Sequence, residues 1–381
     1  MTNKKHSAAQ LLKSSATDEA QAIHEIKKQI EIETIERIIF FCSSNYNLDK
    51  LTIELNQNFD CFVTGCTTAG EISDKYYTDS LVALVFNSDA FAIHSSIIDD
   101  VQTFNLSNAM KIANEIETSL KFNKQLTEEN IFGFLLMDGL SLKEEKVTSL
   151  LYQVMGSVNI IGGSAGDDLK LKQSHIFYDN KFHVNAATIL IIEVLDDFSV
   201  FRMQHFEPTE KELITTEVDF EKRIVKEING EPAAKAYANI NGLDYKKLTN
   251  LNFSMYPLML NIADEWYIRS ISHVSDNNSL QFHCAIDNGL PLSIATGKDL
   301  VQKLQAEIEV IEEQYEQIYF TLGCDCIFRR LEIANKGYTE KIEKLLTRIN
   351  FIGFSSYGEQ FNGIHFNQTL VGVVVGKKSH E

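Results

Sequence analysis

Nowhere does this sequence hold an apolar run of the ~20 residues that a membrane-spanning helix requires. The longest, "ATILIIEVL" and "LVGVVVG", fall far short. The N-terminus, "MTNKKHSAAQLLKSSATDE", has no apolar h-region, so it reads as carrying no secretory signal, and the expected location is cytoplasmic, without membrane insertion. Lysine and arginine number 35 against 53 acidic residues, a formal net charge of -18, and they form no cluster. Phosphate contacts need such clusters, so no nucleic acid is expected as a partner. Cysteine is sparse, with Cys42, Cys61, Cys66, Cys284, Cys324 and Cys326 the only six. In a reducing compartment these stay thiols. The C-x-C spacing of Cys324 and Cys326 is a weak metal signal, because zinc sites usually show two pairs at wider spacing.

What is present is a chain of 381 residues, 44% hydrophobic and 23% charged, enough for a substantial core and more than one domain. Residues 1–35 read as a polar leader and one amphipathic helix with Ala22, Ile23, Ile26 and Ile30 on one face. "RIIFFCS", a helix over Leu48 to Leu55 and "CFVTGCTTAGE" form a strand–helix–strand unit. "LVALVF" and "FAIHSSII" read as strands joined at Asn87-Ser88-Asp89, and "IFGFLLM" as a fully buried strand. Asp179-Asn180 turns a hairpin. The pattern restarts in the second half, with a strand from Trp266 to His273, a helix from Leu300, the strand "QIYFTLGCDC", another helix and "NFIGFSSYGEQF". The expected fold class is α/β, two related halves with mixed β-sheets flanked by helices, divided into 1–35, 36–222 and 223–376.

Two loops repeat a motif. Gly65-Cys66-Thr67-Thr68-Ala69-Gly70-Glu71 and Gly353-Phe354-Ser355-Ser356-Tyr357-Gly358-Glu359 share the form G-x-[TS]-[TS]-x-G-E, each after strand–helix–strand, which points to an internal duplication. The glycines allow a bend or a close backbone approach, and the hydroxyls can satisfy main-chain groups. Because Phe354 replaces the cysteine in the second copy, Cys66 reads as structural or ligand-lining rather than as a nucleophile. A third loop, Gly162-Gly163-Ser164-Ala165-Gly166-Asp167-Asp168, lacks the lysine and following helix of a phosphate cradle. It reads as a strand-end turn or the lip of a pocket.

Taken in order, "VTGCTTAGEI", "IIGGSAGDD", "INGEPAAKAY", "CDCIFRR" and "GFSSYGEQFNGIHFNQTLVGVVVG" resemble the FIST family of intracellular sensory proteins, over about Glu36 to Gly376. The resemblance implies a non-enzymatic bacterial signal-transduction sensor of a small-molecule ligand. No kinase or cyclase output domain fits in the chain, so it is similar to the stand-alone nitric-oxide-sensing haem proteins of the NosP type. That would imply non-covalent haem b, nitric oxide at the iron, and regulation of a separate histidine kinase or of a diguanylate cyclase or phosphodiesterase.

Haem needs an axial ligand in an apolar pocket. His365, between Phe361 and Phe366 and just after the second repeated loop, is the expected iron ligand, ahead of His183, His205 and His273. No C-x-x-C-H attachment motif occurs. Arg329, Arg330, Asn367 and Thr369 are candidates for propionate or another carboxylate, although Arg329 and Arg330 read equally well as helix residues pairing with Glu332. Tyr357, Glu359, Cys66 and Gly163 complete the cofactor-binding set that the resemblance implies. Two alternatives stay open: a FIST sensor of an amino acid or other small metabolite without haem, and an enzyme using Cys66 with a distant histidine.

Overall fold

The apolar runs "RIIFFC", "IFGFLLM" and "YFTLGC" occupy the middle of three sheets, where both faces of a strand are covered. The computed structural model of the protein describes residues 8–122, 130–262 and 264–379. Each of these strands runs parallel to the next through a helical crossover. Ile35–Ser43 pairs with Phe62–Thr68 through Leu48–Asn58, and Ile131–Asp138 pairs with Asn159–Ala165 through Glu144–Met155. Tyr315–Cys326 pairs with Phe351–Ser356 through Ile327–Asn335 and Thr339–Arg348. In all three units a later strand returns antiparallel beside the first: Leu81–Asn87, Ala187–Val194 and Leu370–Lys378. The repeat that the sequence shows twice therefore occurs three times in the structure. The middle copy ends in the loop "GGSAGDD", which the motif read from the other two does not match.

The segment after each second strand leaves its own sheet. Glu71–Ile72 joins Phe351–Ser356, the hairpin Ile176–Tyr178 with Lys181–His183 joins Phe62–Thr68, and the hairpin Glu359–Phe361 with Ile364–Phe366 joins Asn159–Ala165. These three exchanges close a ring, so the two halves of the chain are interlocked through main-chain hydrogen bonds. The resulting sheets have six, six and five strands. Their shared core is where Phe41 meets Phe354 at 4.7 Å and Phe134 at 6.3 Å, one ring from each sheet.

A fourth, antiparallel sheet of eight strands, within residues 206–297, carries the helices Ala233–Asn241 and Asn250–Met255 and docks on the repeat body through Ala69, Tyr357 and Phe328. The fold is thus mixed α/β, with several mixed sheets flanked by nine helices among the described residues, in two halves.

Three local readings change. The polar leader contains a strand, Ala9–Ser14, which pairs with Leu81–Asn87 and precedes the expected helix at Glu19–Gln29; pairing with an apolar neighbour overrides its weak local propensity. The strands Leu81–Asn87 and Phe91–Ile98 do not pair with each other but enter different sheets. The strand expected from Trp266 to His273 is broken at Ser270 into Glu265–Arg269 and Ile271–Ser275.

Candidate functional site

The returning hairpin of the third unit, "EQFNGIHFNQT", is polar in sequence yet buried. Gln360 and Gln368 are 0% exposed, Asn367 1% and His365 2%. Burial of this kind is compatible with folding when every polar atom finds a partner, and here several do not. Gln360 Nε2 donates to Ser164 Oγ at 2.9 Å, and Gln368 Nε2 donates to Ser270 Oγ at 3.1 Å and the Phe253 carbonyl at 3.3 Å. Asn367 Oδ1 accepts the Ser270 amide at 3.4 Å. These anchors fix the amide orientations, and they leave Gln360 Oε1, Gln368 Oε1, Asn367 Nδ2 and His365 Nε2 buried without a hydrogen-bond partner. Arg269 Nε, on the neighbouring strand of the fourth sheet, is also unpartnered.

Gly358 sets the geometry. Its Cα lies under the imidazole: a Cβ there would overlap His365 Cε1, 2.8 Å from Nε2 and 3.1 Å from Asn367 Nδ2. His365 Nε2 and Asn367 Nδ2 are therefore aimed at the same small volume above a bare backbone. Burial pushes the His365 imidazole down to about 4, with Arg223 and Arg269 adding to the effect against Glu145. His283, half-buried at the surface of the same region, is pushed down to about 3, chiefly by desolvation. Both rings are neutral at pH 7, so each presents one donor and one acceptor.

On the outer side stands a cluster of charges. Arg223 Nη2 bridges Glu144 Oε2 at 2.6 Å and Glu145 Oε2 at 2.5 Å, and its Nη1 donates to the His283 carbonyl at 2.7 Å. Glu145 Oε1 accepts the Ala285 amide at 2.6 Å. Burial raises the Glu144 carboxyl to about 7 in spite of Arg223. For Glu145 burial works in the same direction, but His365, Arg223 and the amides outweigh it and hold the group low. Glu145 and Arg223 also line a cleft of about 340 Å³ with Leu142, Lys146, Phe220 and Ala285. The cluster ties the helix Glu144–Met155 of the second unit to the fourth sheet beside His365.

Of the residues expected at a cofactor, the structure brings His365 and Asn367 together and disperses the rest. Cys66 is 0% exposed in the central core, where burial pushes its thiol well above the usual range; it is neither a ligand wall nor an activated nucleophile. Gly163 faces the same core, where a Cβ would come within 2.6 Å of Cys324 Sγ. Arg329 is sealed in a separate ion pair, Nε to Asp325 Oδ1 at 2.5 Å, with His205 and Met203 beside it. Arg330 covers Gly70 and donates to the Tyr77 carbonyl at 2.8 Å. Tyr357 is a latch: its hydroxyl donates to Asp167 Oδ1 and accepts the Leu169 amide at 2.8 Å, which holds the middle loop. Glu359 accepts Ser356 Oγ at 2.5 Å and Thr369 Oγ1 at 2.8 Å. His205 pairs with Glu332, His183 lies beside Asp99, and His273 is exposed. Among the described residues no group of three metal-ligating side chains is assembled.

Haem does not fit the surroundings of His365. On a strand neighbouring side chains face opposite ways, and Phe366 accordingly stacks on Tyr267 at 5.4 Å under the Arg202 guanidinium. Phe361 packs against the central core. The imidazole is walled by Gly358, Gln360 and Asn367 instead of an apolar slot. The sequence reading missed Arg269, Gln360, Gln368, His283, Glu144, Glu145 and Arg223. Only the two glutamines carried a local signal, as amides inside a buried hairpin.

Family models match this architecture: the FIST N domain over residues 37–231 and the FIST C domain over residues 233–362. The chain belongs to the FIST family. FIST domains are sensory, ligand-binding modules of signalling proteins rather than catalysts. No curated protein matches the sequence, and among the described residues no helix is long and apolar enough to cross a membrane.

Proposed function

We propose that this FIST protein senses a small polar metabolite, without haem, bound around His365 where the third-unit hairpin meets the fourth sheet. The observation that carries the reading is that one hairpin holds four unpartnered buried polar atoms, Asn367 Nδ2, His365 Nε2, Gln360 Oε1 and Gln368 Oε1, the first two of them close to the same point above Gly358. An unsatisfied buried polar group costs about 1–3 kcal/mol, and a bound molecule that pairs with several of them recovers much of that. Ligand in this position lies where the third-unit hairpin, itself added to the second unit's sheet, meets the fourth sheet, so its binding energy can bias how these sheets dock. A separate histidine kinase or cyclic-di-GMP enzyme would then read the altered surface.

Haem-based detection of nitric oxide is the competing reading, and the free Nε2 of His365 is the one observation in its favour. The two separate cleanly. Thermal unfolding of the purified chain against a metabolite panel is expected to show a stabilising compound whose effect is lost in Asn367→Leu, while added hemin gives no stoichiometric Soret band. A Soret band that disappears in His365→Ala would overturn the proposal in favour of haem.

A further inference from the structure

Arg269 is 8% exposed, and among the described residues no carboxylate pairs with it. The two acids of the region are both taken by Arg223. Its polar neighbour is the Cys284 thiol, a weak acceptor, and its charge is close enough to His365 to disfavour protonation of that ring. A buried guanidinium without a counter-charge is costly, and folded proteins pair such groups or place them to meet an anion. Ser270, the next residue in the chain, already binds Asn367 Oδ1 through its amide and Gln368 Nε2 through its hydroxyl. Tyr267, two residues back on the same strand, stacks on Phe366, so the end of the strand that carries Arg269 runs beside the hairpin.

We infer that Arg269 receives the carboxylate of the ligand, with Asn367 Nδ2 and His365 Nε2 as further donors, and that a hydroxyl or ammonium beside that carboxylate serves Gln360 Oε1 and Gln368 Oε1. This deepens the sensor reading and rests on it. The inventory of atoms supports a carboxylate bearing an adjacent donor: three orphan donors, one of them charged, stand against two neutral orphan acceptors. The planar fork of arginine matches a carboxylate in two-point geometry. Both outer acids direct their hydrogen bonds to Arg223 and the Ala285 amide, so neither is paired with Arg269, and the ligand carboxylate is the acceptor its guanidinium lacks.

The test is thermal unfolding of the full chain titrated with lactate, its neutral amide lactamide, and inorganic phosphate at constant ionic strength. Lactate is expected to raise the midpoint with concentration in the parent protein, and lactamide and phosphate are not. Arg269→Met is expected to weaken the apparent lactate affinity about 10-fold or more, the usual loss for a charge-assisted hydrogen bond. Without ligand, Arg269→Met is expected to be at least as stable as the parent, because an unpaired buried charge is removed while its volume is kept. Equal responses to lactate and lactamide, no lactate response, or a phosphate response alone would overturn the inference, as would a clear fall in stability of ligand-free Arg269→Met. If a neutral metabolite stabilises both the parent and Arg269→Met but not Asn367→Leu, the carboxylate assignment fails and the sensor reading stands.

Discussion

Glu71 and Glu359 occupy the same place in two different repeats. Glu71 accepts Thr68 Oγ1 at 2.6 Å, three residues before it, and Ser80 Oγ at 2.5 Å, the residue just before the returning strand Leu81–Asn87. Glu359 accepts Ser356 Oγ at 2.5 Å and Thr369 Oγ1 at 2.8 Å, again three residues before it and just before the returning strand Leu370–Lys378. Each acid brackets the two ends of the segment that crosses to another sheet, so the motif G-x-[TS]-[TS]-x-G-E encodes the exchange.

Both acids are raised by burial, Glu71 to about 7 and Glu359 to about 8. Between about pH 5 and 8 the native state thus keeps protons that the unfolded chain has already released, and each group's contribution is lost as pH rises through that window, at up to ~1.4 kcal/mol per pH unit. Glu359→Gln cannot release a proton. Its stability relative to the parent is expected to increase steadily from pH 5 to 8 in denaturant titrations; a difference independent of pH would refute the assignment.

Arg223 compensates the buried Glu144 and the half-buried Glu145 at once. Arg223→Met is expected to lose about 3–5 kcal/mol, the cost of leaving buried charge uncompensated. Adding Glu145→Gln to that variant should restore part of the loss, whereas additive effects in the double-mutant cycle would contradict the bridging role.

Gly358→Ala places a methyl group against the imidazole of His365. Overpacking of this kind is expected to cost about 1–3 kcal/mol and to abolish the response to any metabolite that stabilises the parent. An alanine variant with unchanged stability and ligand response would show that the space above Gly358 is not the site.

Cys61 is the half-buried thiol, while the other five cysteines are buried. Alkylation of the native protein at neutral pH is expected to modify Cys61 first and to leave Cys66 intact until unfolding. Rapid labelling of Cys66 would revive a nucleophilic role.

The central strands were legible because runs such as "IFGFLLM" are apolar on both faces, and no other local structure fits such runs with those flanking turns. The third repeat was not legible as such, since Asp167 takes its bonds from the Leu171, Lys172 and Gln173 amides instead of from a hydroxyl three residues earlier. The conformational requirement is shared while the side-chain solution differs. At the site, His365 and Asn367 stood out as polar residues beside aromatics, and what the sequence did not show is that strand alternation turns Phe366 away to Tyr267. Arg269 could not be found from sequence. An arginine in a strand reads as a solvent-facing residue, and only the absence of an acidic partner in three dimensions distinguishes it.

The most direct measurement of the central claim is a native mass spectrum of the chain purified from cells, compared with that of Asn367→Leu. The account predicts a small-molecule adduct, much lighter than haem, on the parent protein and a bare chain for the variant. A haem adduct, or a bare parent chain, would contradict it.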